Sequence, residues 1–323
     1  MTRRLTLTAL VAGVLLLAGC GSGQYDATPL PGTTSSAPSG GSTSAPTTAP
    51  TCANPTASYA PTGPNPAPGA MDAGTYMKKI QDRGKLIAGV SADTLLLGAR
   101  NPVSGQIEGF DIDMLKLVST AIFGSPDHIT LRVITAAQRI PALTEGTVDI
   151  VARNMTINCT RWQQIAFSAE YYHSGQKVLV PLDSKAQTLD DLSGKRVCAP
   201  NGSTSMDKLA EFRDVIKVGA DTHTGCLVMF QQGKVDAITG DDTVLAGLAA
   251  QDPYAKVTKV RAFTAEPYGL GIAKTHPEFV RFVNKVLEDA KADGQWKKAY
   301  DRWLAADLGP APAPPKPVYG RSE

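Results

Sequence analysis

"ALTEGTVDI", residues 142–150, and "MFQQGKVDAI", residues 229–238, follow one plan. Each closes a helix-like stretch, places a glycine (Gly146, Gly233), and continues as Val-Asp-apolar through Asp149 and Asp236. Glycine supplies the left-handed residue that ends a helix without a Cβ penalty. The apolar run after it reads as a strand. Helix, glycine, strand is a common succession, so one match alone carries little. Here the flanks agree too: a strand-like run precedes each unit and a polar loop follows it. The chain therefore reads as two similar α/β lobes.

Working outward, "KLIAGVS" (85–91) and "ITLRVIT" (129–135) have strand character. "DIDMLKLVSTAIF" (111–123) puts Ile112, Leu115, Val118 and Ile122 on one helical face. This alternation predicts an α/β fold with crossover helices. "GQKVLVPL" (175–182) and "EPYGLGIAK" (266–274) are apolar and bounded by turn residues, and are expected to be the paired crossings between lobes. The chain then returns to the first lobe. In residues 277–304, Phe279, Phe282, Val283, Val286 and Leu287 form one stripe, and Trp296, Tyr300, Trp303 and Leu304 a second; both read as helix core. The expected division is 71–174 with 267–309 in lobe 1 and 175–266 in lobe 2. Two lobes on two crossings make a hinge, and the cleft between them is the natural small-molecule site.

The ends fix a compartment. Arg3 and Arg4, an apolar run from Leu5, and Leu17-Ala18-Gly19-Cys20 read as a secretory signal over residues 1–20, too short for a comfortable membrane span. Cys20 resembles the lipidated cysteine of a bacterial lipobox; an ordinary signal peptide with an incidental cysteine is the plainer alternative. Residues 21–70 are rich in Ser, Thr, Pro, Gly and Ala and are expected to be a flexible tether, and 310–323 a similar tail. Cleavage removes two of 32 basic side chains and leaves 30 against 30 acidic. With no basic block either, the electrostatic footprint of nucleic-acid binding is missing. Besides Cys20 there are Cys52, Cys159, Cys198 and Cys226, an even number that favours two disulfides outside the cytoplasm. Three pairings are possible; Cys198–Cys226 within one lobe and Cys52–Cys159 pinning the tether to the other is the favoured one. No CxxC occurs, so neither a zinc ribbon nor a redox motif is supported, and no metal or cofactor is expected.

Loops at the carboxyl ends of strands carry the site in open α/β sheets. After "VDIVA" come Arg153, Asn154, Thr156 and Arg161. A guanidinium forks onto a carboxylate, so Arg161 suits an external carboxylate; a surface salt bridge is equally open on position alone. Gly202-Ser203-Thr204-Ser205 opens a helix after "KRVCA", where free N–H groups suit an anion, or where Ser203 or Ser205 simply caps. Asp241 and Asp242 end a strand and start a helix; two buried carboxylates repel, so Asp241 is expected to face the cleft and hold an ammonium while Asp242 caps. Arg139, in "TAAQRIPAL", adds a second cation. Together these make a receptor for a zwitterion with provision for a further negative group.

Six motifs in order, "GFDIDML", "RIPALTEGTVDIV", "MTINCTRWQQIAFSAEYYHSGQ", "LDDLSGKRVCAPNGSTS", "GKVDAITGDDTVLAGL" and "PYGLGIAK", make residues 80–305 resemble the family 3 solute-binding proteins of polar amino-acid ABC transporters, most of all actinobacterial glutamate/glutamine-binding lipoproteins. The resemblance implies a periplasmic-binding-protein-like fold, two Rossmann-like lobes on a two-strand hinge. It implies that Arg161 binds the ligand α-carboxylate beside Thr156, that the Asn154 carbonyl and Asp241 hold the ammonium, that Ser203 and Thr204 close from the second lobe, and that Arg139 meets a side-chain carboxylate. Two features depart from the family pattern. The loop "SADTLLLGAR" (91–100) and Ala136 offer no aromatic ring over the ligand, and Arg153 stands where a small residue is common.

The expected function is a monomeric lipoprotein on the outer face of the cell membrane. It would capture glutamate first, then aspartate, glutamine or asparagine, and deliver it to an ABC permease. An amino-acid sensor reporting to a membrane signalling partner is a second reading. An exported enzyme on this fold, such as a cyclohexadienyl-dehydratase-like protein, is a third. It lacks support: His128, His173, His223 and His276 are scattered, and no GxSxG, HExxH or P-loop occurs.

Overall fold

The computed structural model describes residues 52–322; the expected leader, Cys20 and the first part of the tether lie outside them. Lobe 1 is a five-stranded sheet in the order β5 (Ile129–Val133), β1 (Leu86–Val90), β6 (Ile150–Ala152), β15 (Gly271–Ala273), β7 (Ile165–Phe167). Lobe 2 repeats it as β11 (Ile216–Ala220), β10 (Arg196–Pro200), β12 (Ala237–Asp241), β9 (Gln176–Pro181), β13 (Ala255–Val257). In both, the first three strands run parallel and the last two neighbours pair antiparallel.

The duplicated segment explains the shared topology. Gly146 and Gly233 sit at φ 67° and 66°, the left-handed stop that lets the chain turn from helix into strand. Asp149 N–H donates to Ile87 O while the Asp149 carboxylate accepts from Ile87 N–H at 2.7 Å. Asp236 makes the same reciprocal pair with Arg196 in lobe 2, at 2.8 Å each way. Each aspartate also takes an arginine, Arg83 or Arg196. The conserved register of helix end and strand start is thus fixed twice by one device.

Helices cover the sheets: α1 (Tyr76–Arg83), α2 (Phe110–Phe123), α3 (Arg139–Thr144), α4 (Cys159–Trp162), α8 (Pro277–Ala292), α9 (Gln295–Trp303) and α10 (Ala305–Leu308) around lobe 1, and α5 (Thr204–Leu209), α6 (His223–Gln231) and α7 (Asp242–Gln251) around lobe 2. Ile112, Leu115, Val118 and Ile122 of α2 are wholly buried, as are Phe279 and Val283 of α8 and Trp296 of α9 to within 1%. A small sheet of β2 (Asp93–Thr94), β3 (Gly98–Arg100) and β4 (Ile107–Glu108) caps the cleft side of lobe 1. No helix of the described residues is long and apolar enough to cross a membrane.

The lobe crossings differ from the expected ones. They are β8 (Tyr172–Ser174) and β14 (Glu266–Tyr268), paired antiparallel. "GQKVLVPL" is instead an interior strand of lobe 2, and only the start of "EPYGLGIAK" crosses before β15 enters lobe 1. Both segments are strands, but alternation of apolar residues gives no information on which strand each one meets.

The tether and tail also differ. From Cys52 onward the chain packs on lobe 1, with Ser58 0% and Tyr59 3% exposed. Ser58 Oγ donates to Phe167 O at 2.8 Å, and Trp162 Nε1 donates to Pro55 O at 2.8 Å. The tail runs beside it: Ser58 bridges Tyr319, and the Arg321 guanidinium lies 3.7 Å over the Trp162 ring. Composition indicated that these segments cannot bury a core of their own; they use lobe 1's instead. Disulfides join Cys52 to Cys159 and Cys198 to Cys226, the favoured pairing.

Asn284, fully buried in α8, clamps the entering strand: its Nδ2 donates to Ser58 Oγ and Tyr59 O, and its Oδ1 accepts from Ala169 N–H at 2.6 Å. Asn284→Ala leaves several of these groups buried without partners and is expected to cost about 2–4 kcal/mol in urea unfolding, with residues 52–70 becoming cleavable by protease. An unchanged midpoint would show that the segment is not held this way.

Candidate functional site

Strand β6 ends at Ala152, and the loop after it turns sharply toward lobe 2. Asn154 takes a left-handed φ of 37°, unusual for a residue with a side chain. The conformation is held by a buried carboxylate: Asp111, in the first turn of α2, accepts from Asn154 N–H at 2.8 Å and from Tyr171 O–H at 2.6 Å. Burial pushes Asp111 up to about 6, against those two bonds and the charge of Arg153. Four residues on, Asn158 caps α4 by accepting from Arg161 N–H, so the backbone of Arg161 is pinned as well.

Three guanidiniums from this region and from α3 converge. Arg139, Arg153 and Arg161 are 3%, 4% and 6% exposed, and none has a carboxylate in salt-bridge range among the described residues. Arg139 donates through Nε to Ala136 O at 2.8 Å, through Nη1 to Arg153 O and Asn154 O, and through Nη2 to Gly202 O at 3.1 Å. Arg161 donates to Thr156 O at 2.7 Å and to Gly202 O at 3.4 Å. Arg153 Nε is buried with no partner. Burial lowers the proton affinity of all three, and for Arg139 the charges of Arg161 and Arg153 add to it. Guanidinium stays protonated regardless, so the cluster is positive charge held out of water.

Opposite lies Asp241, 3% exposed, at the end of β12. Its Oδ2 accepts from Tyr268 O–H at 2.7 Å, while Oδ1 is buried without a partner. Burial, then the charge of Glu266, raises its pKa to about 8. Asp242 takes the local role: its Oδ1 accepts from Ser174 O–H and from Thr243 N–H.

Lobe 2 contributes Ser203 and Thr204. Ser203 Oγ donates to Pro200 O and accepts from Met206 N–H, which commits the hydroxyl to capping α5. Thr204 Oγ1 and Thr156 Oγ1, one from each lobe, both donate to Glu266 Oε2, at 2.9 and 2.6 Å. Glu266, on the crossing strand β14, escaped the sequence reading because nothing local marks it; both hydroxyls reach it from far away in the chain. Gln176 was also missed. It is the register partner of Asp241, fully buried, with Oε1 unpartnered. The Asn154 carbonyl, expected to face an ammonium, is engaged by Arg139.

The lobes are shut on one another. Besides the Gly202 carbonyl and the Thr156–Thr204 contact, Thr224 Oγ1 donates to Asp93 O at 2.8 Å. Helix α7 meets the 93–96 loop at Gly247, where a Cβ would lie 2.7 Å from Leu95 O. The 91–100 loop brings no aromatic ring to the cleft. Among the described residues no cluster of three or more His, Cys, Asp or Glu side chains is arranged to hold a metal ion.

A family model for bacterial extracellular solute-binding proteins, family 3, matches residues 86–306. The ABC transporter glutamine-binding protein GlnH of Bacillus subtilis is 34% identical over 71% of this chain and 84% of its own length. The glutamate-binding protein GluB of Corynebacterium efficiens is 32% identical over 75% and 84%. Among solved structures, an ancestral arginine-binding protein bound to glutamine superposes with a TM-score of 0.64 at 29% identity, covering 69% of this chain and 98% of that one. The P235GK mutant of the T. maritima arginine-binding protein gives 0.66 at 26%, over 71% and 99%.

Gly247 lies inside a helix, where alanine is intrinsically better by up to about 1 kcal/mol. Gly247→Ala is nevertheless expected to force the lobes apart, because its methyl meets a backbone oxygen. Small-angle scattering should show a larger radius of gyration with unchanged helix content. An unaltered profile would mean that this contact does not limit closure.

Proposed function

Because the chain belongs to the bacterial extracellular solute-binding proteins of family 3, we propose that it captures an acidic or amide amino acid by hinge closure and delivers it to the permease of an ABC transporter. Glutamate is the first choice, then aspartate, glutamine and asparagine. The observation that carries this reading is the pairing of buried guanidiniums with a buried, half-satisfied carboxylate across one seam. A zwitterion completes both. Its α-carboxylate goes to Arg161 beside Thr156, displacing the long 3.4 Å contact to Gly202 O. Its ammonium donates to Asp241 Oδ1, and a side-chain carboxylate or amide faces the remaining cations, Arg139 and Arg153. The Asn154 turn holds the floor, and the Ser203–Thr204 loop closes from lobe 2. A few charge-assisted bonds in a closed cleft suffice for micromolar affinity, which corresponds to about 8 kcal/mol.

The names of the GlnH and GluB relatives support the ligand class. The family places the protein outside the cytoplasm; a lipid on Cys20 would keep it at the membrane beside its permease as a monomer. Reporting of the closed state to a membrane signalling partner fits the same geometry. An enzymatic role finds no support in the site: among the described residues no histidine hydrogen-bonds a serine, threonine or cysteine side chain.

Two measurements test the reading. Arg161→Ala should lower glutamate and glutamine affinity by at least about 100-fold in calorimetry, with the thermal unfolding of the free protein near wild type; near-normal affinity would remove Arg161 from the site. Asp241 gives a pH signature. Burial in the shut, ligand-free form pushes its carboxyl up to about 8, and an ammonium favours the ionised form. Binding at pH 7 should therefore release a proton, and affinity should rise with pH until about 8 and fall on acidification. Titrations in phosphate and in imidazole, whose ionisation heats differ, should give different apparent enthalpies, and Asp241→Asn should erase the difference. Equal enthalpies for the wild type would contradict the assignment.

A further inference from the structure

The three arginines of the seam are not equivalent. A guanidinium has five N–H donors arranged in forks, and it grips a carboxylate well only where a fork is free. Arg139 has spent its forks. All three of its nitrogens already donate to backbone carbonyls, those of Ala136, Arg153 and Asn154 in lobe 1 and Gly202 in lobe 2. Arg161 uses one donor on each terminal nitrogen and keeps its Nε side. Arg153 has used nothing: no nitrogen of its guanidinium makes a hydrogen bond or ion pair among the described residues, and its Nε is sealed from solvent.

Its neighbours explain why it stays charged and unengaged. Asp93 and Asp111 are close enough to favour its charge. Neither comes within salt-bridge range of it: Asp111 accepts from Asn154 N–H and Tyr171 O–H, and one oxygen of Asp93 accepts from Ser91 O–H at 2.7 Å. Asp93 also accepts on its backbone carbonyl from Thr224 Oγ1 of lobe 2 at 2.8 Å, so the acidic surroundings of Arg153 reach the seam where the lobes meet. Leaving such a group buried and unbonded is unfavourable, and acceptor oxygens placed at its free donors would relieve that.

Resting on the amino-acid-receptor reading above, we propose that Arg153 is the specificity-determining residue that reads the ligand's side-chain carboxylate, and that Arg139 is a positioning residue which ties the floor of lobe 1 to the Gly202 carbonyl of lobe 2. A carboxylate offers an acceptor to each arm of the free fork. A carboxamide offers one acceptor and turns an N–H₂ group toward the other arm, donor against donor. A polar site left half unbonded discriminates far more strongly than an apolar one. The occupant is thereby a dicarboxylic amino acid, with its amide counterparts as poor substitutes.

The test is calorimetry on the whole mature protein with L-glutamate, L-aspartate, L-glutamine and L-asparagine. It uses wild type, Arg153→Met, Arg153→Lys and Arg139→Met, and it reads the acid-to-amide affinity ratio. The wild type should prefer the acids. Arg153→Met should lower that ratio at least about 50-fold, and Arg153→Lys, which keeps the charge and loses the fork, about tenfold. Arg139→Met should weaken acids and amides together and leave the ratio near its original value. A ratio unmoved in both Arg153 variants, a wild type that prefers amides, or a ratio that collapses in Arg139→Met instead would each overturn the assignment. Should Arg153→Met fail to fold, Arg153→Lys still decides. The parent reading fails separately: a wild type that binds none of the four sinks both, whereas binding abolished by Arg161→Ala with the ratio intact in Arg153 variants sinks this proposal alone.

Discussion

The architecture turns on charge kept out of water between two lobes joined by two crossing strands. Three guanidiniums and one aspartate sit within a few per cent of complete burial at the seam; their direct hydrogen-bond partners are backbone carbonyls and one tyrosine hydroxyl, and Arg153 has none. Carbonyl dipoles soften the desolvation of a cation without cancelling its charge. The shut form is therefore electrostatically unfinished. On the proposed reading, opening would rehydrate the cluster and closing around a group of both signs would complete it. The energy that drives closure would then be located where the ligand sits, which is what makes a hinge selective.

Closure needs contacts that favour the shut form without making it permanent, and Glu266 is well placed for this. It stands on a crossing strand, the one part of the molecule common to both lobes, and receives a hydroxyl from each. On the proposed hinge opening, Thr156 and Thr204 would part from one another and each could exchange its bond to Glu266 for water. Further contacts between the lobes, Thr224 to Asp93 and α7 to Leu95, involve small groups. The duplicated lobes supply rigidity, since Asp149 and Asp236 lock equivalent strands in the same way; the seam supplies asymmetry, because lobe 1 carries the arginines and lobe 2 the aspartate.

What could be read from the sequence follows from the range of each interaction. Gly146 and Gly233 and the buried face of α2 depend on neighbours a few residues away, and these were legible. The crossings were not, because "GQKVLVPL" has the apolar run of a strand whichever partner it meets. The packed segments 52–70 and 310–322 were missed because composition reports what a segment can bury alone, not what it can borrow from Phe167, Trp162 and Asn284. Glu266 and Gln176 draw their meaning from partners tens of residues distant. The saturation of Arg139 by carbonyls has no side-chain signature at all.

The borrowed segment has a consequence for the site. Helix α4 spans only Cys159–Trp162, far too short to be stable by itself, yet it presents Arg161. Its geometry is imposed from outside. Asn158 caps it, the disulfide from Cys159 ties it to Cys52, Trp162 donates to Pro55 O, and Arg321 lies over the Trp162 ring. A long cationic side chain loses considerable rotamer entropy when it is fixed, and that cost falls on binding if the residue is mobile in the free state. Here the disulfide and the two chain ends meet it during folding. The stretch that leads toward the expected membrane anchor is thereby also what fixes Arg161, the residue proposed to take the ligand carboxylate.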